Sequence, residues 1–341
     1  MRYLGVDLHT NSFTVCFREE SGKEKFKTYP MNKLLDFLFD VDKKDMVAVE
    51  STGNTRFFVE SIRKAVKKVV VVDPNKFEVI KKSAKKTDKN DARTLALFLS
   101  KEMIPEARMK TGLQAELGKL VATRQTLVEQ RTALISTIHN LLNSQGIKEK
   151  KEVLTTVKGL NGVLSLAKEE GFDGLVCLQL EVLVSQITSL NAGIKKLEEQ
   201  MEEKGKQLDG HENLSSIKGI GDKAATILLT VIGDINDFED EGKLASYFGM
   251  VPRVQRSNET VHYGRITKRG SKIGRTTMVQ CALVAIRYSP YLANFYARIK
   301  LRRGSGKAII ATARKLLGIV YETLKEKRVF TDFPNFKYVT A

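Results

Sequence analysis

A chain of 341 residues with 42% hydrophobic side chains can form two or three separately cored domains. Cys16, Cys177 and Cys281 are too few and too scattered for a disulfide framework or a zinc site. No run approaches the ~20 consecutive apolar residues of a membrane span, and the N-terminus reads as a strand rather than a leader, so a cytoplasmic protein is expected. The net charge of +17, spread along the chain, predicts a polyanionic partner, with nucleic acid first.

Residues 3–8 alternate as a strand that carries Asp7 near its end. Ser12 to Phe17 reads as a second strand, and Ser21-Gly22-Lys23 as a hairpin into a third over Glu24–Thr28. A helix follows with Leu34, Leu35, Phe37, Leu38 and Phe39 on its buried side. Met46–Glu50 is a short apolar strand ending on a carboxylate, Ser51–Thr55 a loop into a helix, and Val69–Val72 a buried strand. Antiparallel strands followed by alternating helices and strands predict an α/β domain with a mixed sheet, whose strand ends collect chemistry.

The segment Lys85–Arg93 places Asp88 and Asp91 three apart where a helix starts, among Lys86 and Arg93. Residues i and i+3 share a helix face, which suits two carboxylates reaching one hard cation, with the basic side chains holding phosphate. A plainer reading makes Asp88 the helix N-cap and Asp91 the acidic member of a capping box. If Asp7, Glu50, Asp88 and Asp91 converge to about 4 Å, each pair repels by ~4 kcal/mol at an effective dielectric of 20. Such a set protonates or binds metal, so Mg2+ or Mn2+ is the expected companion. Asp73 and Glu60 are rival members.

From Leu113 to Leu142, leucines at 117, 120, 127, 134, 141 and 142 predict a long amphipathic helix. A second spans Leu178 to about Met201, and the glycine-rich Gly159–Gly174 between them predicts turns. The two can pair antiparallel or associate between subunits. Arg124 and Arg131 lie one heptad apart; solvated charge and nucleic-acid contact are both open for them. Further on, Ser216–Leu228 carries Lys218, Gly219 and Gly221 in an apolar-x-Gly-apolar-Gly turn before a helix. This resembles a helix–hairpin–helix whose backbone N–H groups approach phosphate; an ordinary glycine turn is the alternative.

A basic segment follows with Arg253, Arg265, Lys268, Arg269 and Arg275, serines at 257 and 271, and a helix from Lys272 through Ile286. Ser271 is expected to be exposed. The tail carries Arg298, Lys300, Arg302, Arg303 and Lys307 before a final apolar helix, and reads as nucleic-acid contact plus core.

The order strand–Asp, strand–Glu, helix–Asp-x-x-Asp is similar to the ribonuclease-H-like fold of Holliday-junction resolvases. Gly5-Val6-Asp7, Val49-Glu50-Ser51-Thr52-Gly53 and Lys86-Thr87-Asp88-Lys89-Asn90-Asp91-Ala92 together resemble the DEDD transposases of bacterial insertion sequences, the IS110 family. Gly249-Met250-Val251-Pro252-Arg253, a serine four residues on, and Gly264-Arg265-Ile266-Thr267-Lys268-Arg269-Gly270 resemble the C-terminal domain of the same family. There the serine attacks DNA, and Ser257 stands at its position. Asn258-Glu259-Thr260 departs from the glycines that usually follow. An actin-like sugar kinase also opens with Gly-Val-Asp and a hairpin, but its phosphate loop needs glycine where this chain has Leu8-His9-Thr10-Asn11.

The resemblance implies a ribonuclease-H-like catalytic domain over 1–110, a helical coiled-coil region over 111–205 and a mostly α serine domain over 206–341. It implies a transposase that cuts and rejoins donor and target DNA through a phosphoserine. Mg2+ or Mn2+ would sit at Asp7, Glu50, Asp88 and Asp91, and an element-encoded noncoding RNA would guide the reaction. It further implies a homo-oligomer, dimer or tetramer, associated with the nucleoid, in which one subunit's acidic domain meets another's serine. Two alternatives remain: a metal-dependent structure-specific nuclease with no covalent intermediate, and a non-catalytic nucleic-acid-binding protein.

Overall fold

The computed structural model describes residues 1–72, 77, 87–107, 109–110, 112–257 and 260–330. The chain divides into two compact units, Met1–Lys110 and Thr111–Ala341.

The first unit is built on a five-stranded sheet in the order β3-β2-β1-β4-β5. Its strands are β1 (Arg2–Leu8), β2 (Ser12–Glu19), β3 (Glu24–Pro30), β4 (Met46–Glu50) and β5 (Lys68–Val72). The pairs β1–β2 and β2–β3 are antiparallel, and β1–β4 and β4–β5 are parallel. Side chains alternate between the two faces of a strand, and here the alternation separates packing from chemistry. Leu4, Val6, Leu8, Phe13, Val15, Phe17, Val47 and Val49 fill one face. Against it lie α1 (Leu34–Asp40) and α2 (Thr55–Ile62), where Phe13, Tyr29, Phe37 and Phe58 form an aromatic cluster. The opposite face carries small residues, Gly5, Cys16 and Ala48, and receives α3 (Asp88–Ser100) through Ala92, Leu95 and Ala96.

Only Leu34 and Phe37 of α1 are buried. Leu35 is 70% and Phe39 89% exposed, which corrects the expectation that all five apolar residues of this segment face inward. A seven-residue helix has room for one fully buried i, i+3 pair on its inner face; Leu38 packs partly against the core, and Leu35 and Phe39 rotate outward.

In the second unit, α4 (Gly112–Ser144) and α6 (Gly174–Gly205) run antiparallel. Ile135, Ile138 and Leu142 meet Leu180, Val184 and Ile187 in their seam. Arg124 donates to Glu198 at 2.8 Å through Nε, and Arg131 donates to Asn191 at 3.0 Å, so both arginines hold the pair together. Burial works to raise the Glu198 pKa, but the hydrogen bonds and charges of Lys223 and Arg124 outweigh it and the net shift is downward. The segment expected to hold turns is instead the helix α5 (Val157–Glu169). Thr156 caps it by accepting from the Gly159 N–H, and Leu160, Val163 and Ala167 join the seam. Here one apolar face with a cap outweighs the weak helix propensity of glycine. By length and composition α6 is long and apolar enough to cross a membrane. Its apolar side chains divide between the seam and an exposed stripe of Leu175, Leu178 and Val182.

The short α7 (His211–Ser215) leads into α8 (Asp222–Ile232), whose residues from Ala225 to Ile232 are all buried. Around it pack α9 (Glu241–Tyr247), α10 (Lys272–Ala285) and α12 (Ser305–Lys325); α11 (Pro290–Arg303) lies against α12. Between α9 and α10 runs an antiparallel hairpin of β6 (Pro252–Ser257) and β7 (Thr260–Ile266).

Candidate active site and nucleic-acid interface

Strand periodicity places Asp7 two residues beyond Gly5 and Glu50 two beyond Ala48, both on the face that α3 covers. Gly5 is the register partner of Ala48, so the two carboxylates leave neighbouring strand ends side by side. The close approach of α3 depends on Gly5. A Cβ there would lie 2.0 Å from the Ala92 carbonyl oxygen and 2.4 Å from the Ala96 nitrogen. Gly5→Ala is therefore expected to push α3 off the sheet, cost about 1–3 kcal/mol and weaken any cleavage that needs Asp88 and Asp91. Denaturant unfolding together with a cleavage assay checks this; unchanged stability with full cleavage would show that the site tolerates a displaced helix.

The cap of α3 is Thr87, whose hydroxyl accepts from the Asn90 N–H at 3.3 Å. Asp88 is thus the first residue of the helix and not its cap, and the capping-box reading of the two aspartates is corrected. With the cap supplied by threonine, Asp88 projects at 61% side-chain exposure while Asp91 is buried.

Asp7 is the electrostatic centre, its side chain only 12% exposed. Burial pushes its pKa above the ordinary value; His9 opposes the shift, and Asp88, Asp91 and Glu50 each add to it. Three of the predicted carboxylates, Glu50, Asp88 and Asp91, therefore each act on the fourth, Asp7. His9 is a fifth member, whose place in the sequence served only to exclude a phosphate loop. Its Nε2 lies 3.3 Å from Asp7 Oδ2 and 3.5 Å from Asp88 Oδ1. One ligand atom from each of Asp7, His9 and Asp88 falls within 4.8 Å of the others. The spacing Asp-x-His at a strand end, which puts both side chains on one face, was the available signal.

A set dominated by carboxylate oxygens with one imidazole fits a hard divalent cation, and the imidazole suits Mn2+ better than Mg2+. Of the rivals, Glu60 forms an i, i+4 pair with Arg56 on α2. Asp73 lies outside the described residues, as does Lys86. Arg93 donates to Glu24 at 2.7 Å and covers the Phe26 ring, so its guanidinium ties α3 to β3.

In the second unit, Ser257 is the last residue of β6 and stands in register with Thr260 of β7. Arg253, Arg265, Lys268 and Arg269 are exposed around the hairpin. Arg275 is half-buried and donates to the Phe248 carbonyl at 2.9 Å, an internal role in place of a free cation. Ser271, expected to be exposed, is half-buried and caps α10 by accepting from the Gly274 N–H at 3.1 Å. Lys218 is exposed in the turn between α7 and α8. Gly219 has φ +108, and a Cβ there would come within 2.8 Å of the Ala285 backbone, so α10 packing already requires that glycine. Gly221, at the N-cap of α8, has open space around it.

A family model for a transposase of the DEDD, IS110 type matches residues 4–146. A second, described as the transposase IS116/IS110/IS902 family, matches residues 211–297. The chain belongs to the IS110 family of DNA transposases.

Relatives of this IS110-family transposase align over nearly its whole length. The transposase for insertion sequence element IS1111A of Coxiella burnetii is 25% identical, covering 97% of this chain and 91% of the relative. That for element IS1328 of Yersinia enterocolitica is 26% identical over 96% and 98%. The pilin gene-inverting protein of Moraxella lacunata is 27% identical over 96% and 97%. The first family model contains Asp7, Glu50, Asp88 and Asp91, and the second contains Ser257.

Proposed function

We propose that this transposase cuts and rejoins DNA through a phosphoserine at Ser257, with a divalent metal held by Asp7, Glu50, Asp88 and Asp91. The observation that carries the reading is the gathering of three carboxylates, Glu50, Asp88 and Asp91, around a fourth, Asp7, in a chain similar over nearly its whole length to a protein named for inverting a gene. Inversion requires rejoining as well as cutting. The sheet order β3-β2-β1-β4-β5, with acids at the ends of β1 and β4 and on the helix over them, supports a ribonuclease-H-like catalytic domain over 1–110. A helical region over 111–205 and a serine domain over 206–341 complete the proposed division.

In the first step the Ser257 hydroxyl gives up its proton as its oxygen forms a bond to the scissile phosphorus, the bond from phosphorus to one sugar oxygen breaks, and that sugar oxygen takes up a proton. In the second step a sugar hydroxyl of the new strand attacks the serine phosphate, and the serine oxygen leaves with a proton. The phosphodiester energy is kept in the ester, so no nucleotide is consumed. A bound Mg2+ or Mn2+ would polarise the phosphate oxygens as a Lewis acid. Lys218, Gly221, Arg253, Arg265, Lys268 and Arg269 would hold backbone phosphates, which orients the strand and reads no sequence. The neutral serine hydroxyl is a weak nucleophile and depends on such positioning and activation.

Partner strand choice is assigned to a noncoding RNA encoded by the element, and the working form to a homo-oligomer in the cytoplasm, on the nucleoid. A structured RNA is expected to co-purify with the protein expressed together with its flanking element sequence. Strand exchange by RNA-free protein would remove the guide and leave the recombinase. The reading as a whole is tested by trapping wild-type protein on DNA with metal and looking for a covalent protein–DNA adduct under denaturing conditions. Metal-dependent cleavage without any adduct would move the chain to the nuclease reading.

A further inference from the structure

Between Glu259 and Glu322 the chain has no aspartate or glutamate and thirteen lysines and arginines. The last five before the core of α12 are Arg298, Lys300, Arg302, Arg303 and Lys307, at the corner where α11 turns into α12. Both family models stop short of this corner, the second at residue 297. We propose that it is a second, sequence-neutral grip on duplex DNA. The inference rests on the reading of the chain as a DNA recombinase.

The fold does not account for these charges. Leu292 is the one buried residue of α11, every residue from Lys300 to Lys307 is exposed, and Leu301 is 89% exposed. Among the described residues none of the five basic side chains forms an ion pair with a carboxylate. Cations in the last turn of α11 suit its negative dipole end. Lys307 lies in the first turn of α12, which has no acidic residue and no side-chain cap, so there the dipole disfavours a cation. Mutually repelling cations on a surface that buries nothing are offset by a polyanion.

The aromatic neighbours decide which polyanion. Arg298 lies 5.7 Å from the Phe295 ring centre and Lys300 lies 5.9 Å from that of Tyr296. Lys315 lies 5.3 Å from Tyr291 and 5.4 Å from Phe295. Single-strand binders offer aromatic faces for bases to stack on, and here the chain's own cations cover those faces. Apart from Leu301, the large side chains that the corner presents outward are cations, which suits the continuous phosphate rails of a duplex.

The test measures binding of full-length protein to a duplex of arbitrary sequence by fluorescence anisotropy across a salt series. In the variant Arg302→Gln/Arg303→Gln/Lys307→Gln, the slope of log affinity against log salt should fall by about 2–3, at ~0.9 for each phosphate no longer neutralised. Affinity at moderate salt should fall roughly ten-fold or more. Neutralising Lys195, Lys196 and Lys204 on α6 removes the same net charge elsewhere and should change the slope far less. Arg302→Lys/Arg303→Lys should restore it, and circular dichroism confirms folding of each variant. Equal losses from both triple variants, or a corner variant that binds as wild type does, would overturn the proposal while leaving the recombinase reading in place. So would a loss seen on an RNA hairpin but not on duplex DNA. A wild-type response flat in salt would overturn both.

Discussion

Ser257→Ala is expected to abolish strand transfer and the covalent protein–DNA adduct together. The substitution deletes one hydroxyl and keeps the strand backbone, so its effect on stability should stay within about 0.5 kcal/mol. Peptide mass mapping of the wild-type adduct should place the phosphate on the peptide containing Ser257. Ser271→Ala is the comparison, and the structure changes how it is read. Its hydroxyl caps α10, so losing it should cost about 1 kcal/mol of stability. Activity must therefore be compared well below the unfolding temperature of both variants, where Ser271→Ala should keep most of it. An adduct on Ser271, or cleavage undiminished by Ser257→Ala, overturns the serine mechanism.

The second large effect belongs to the carboxylates. Asp7→Asn or Asp91→Asn should lower cleavage by roughly 10²–10³ or more, the scale on which lost electrostatic stabilisation is felt. Binding of duplex DNA should survive. Stability moves in the opposite sense from activity. Burial raises the Asp7 pKa in the folded state, with help from Asp88, Asp91 and Glu50. The native state therefore holds this proton more tightly than the unfolded chain does. Stability associated with Asp7 is present at low pH and lost as pH rises from the ordinary value of 3.8 through the raised folded pKa.

At neutral pH the ionised carboxylate is a net cost in metal-free protein, and Asp7→Asn should melt higher than wild type. Divalent metal reverses that order. At one hundred times its Kd a ligand adds about 2.7 kcal/mol, which wild type should gain and the asparagine variants should not. Calorimetry with and without Mg2+ or Mn2+ reads this independently of catalysis. Cleavage by wild type in excess chelator, or full activity in both variants, would remove the metal from the mechanism.

Much of the acidic site was legible in the sequence because its geometry follows from local periodicity. Two residues along a strand return to the same face, which carries Asp7 with Gly5 and Glu50 with Ala48. Three residues along a helix do the same for Asp88 and Asp91. The family words place these elements in order, and the glycine at position 5 marks where a helix can come close. The long helices were legible for the same reason, since an apolar stripe at helical spacing has one way to be buried.

Tertiary structure decided what depends on partners distant in sequence. His9 joined the cluster because the end of β1 faces the start of α3, which brings together residues 79 positions apart. Arg275 and the pair Arg124 and Arg131 lie in charge-rich segments that look solvated. They turned out to hold a backbone carbonyl, a glutamate and an asparagine. Thr87 and not Asp88 caps α3, because one hydroxyl reached the Asn90 N–H and left the carboxylate for the site. A side chain's residue type fixes which bonds it can make, but the partner that satisfies it is chosen by the packing of elements that local spacing does not encode.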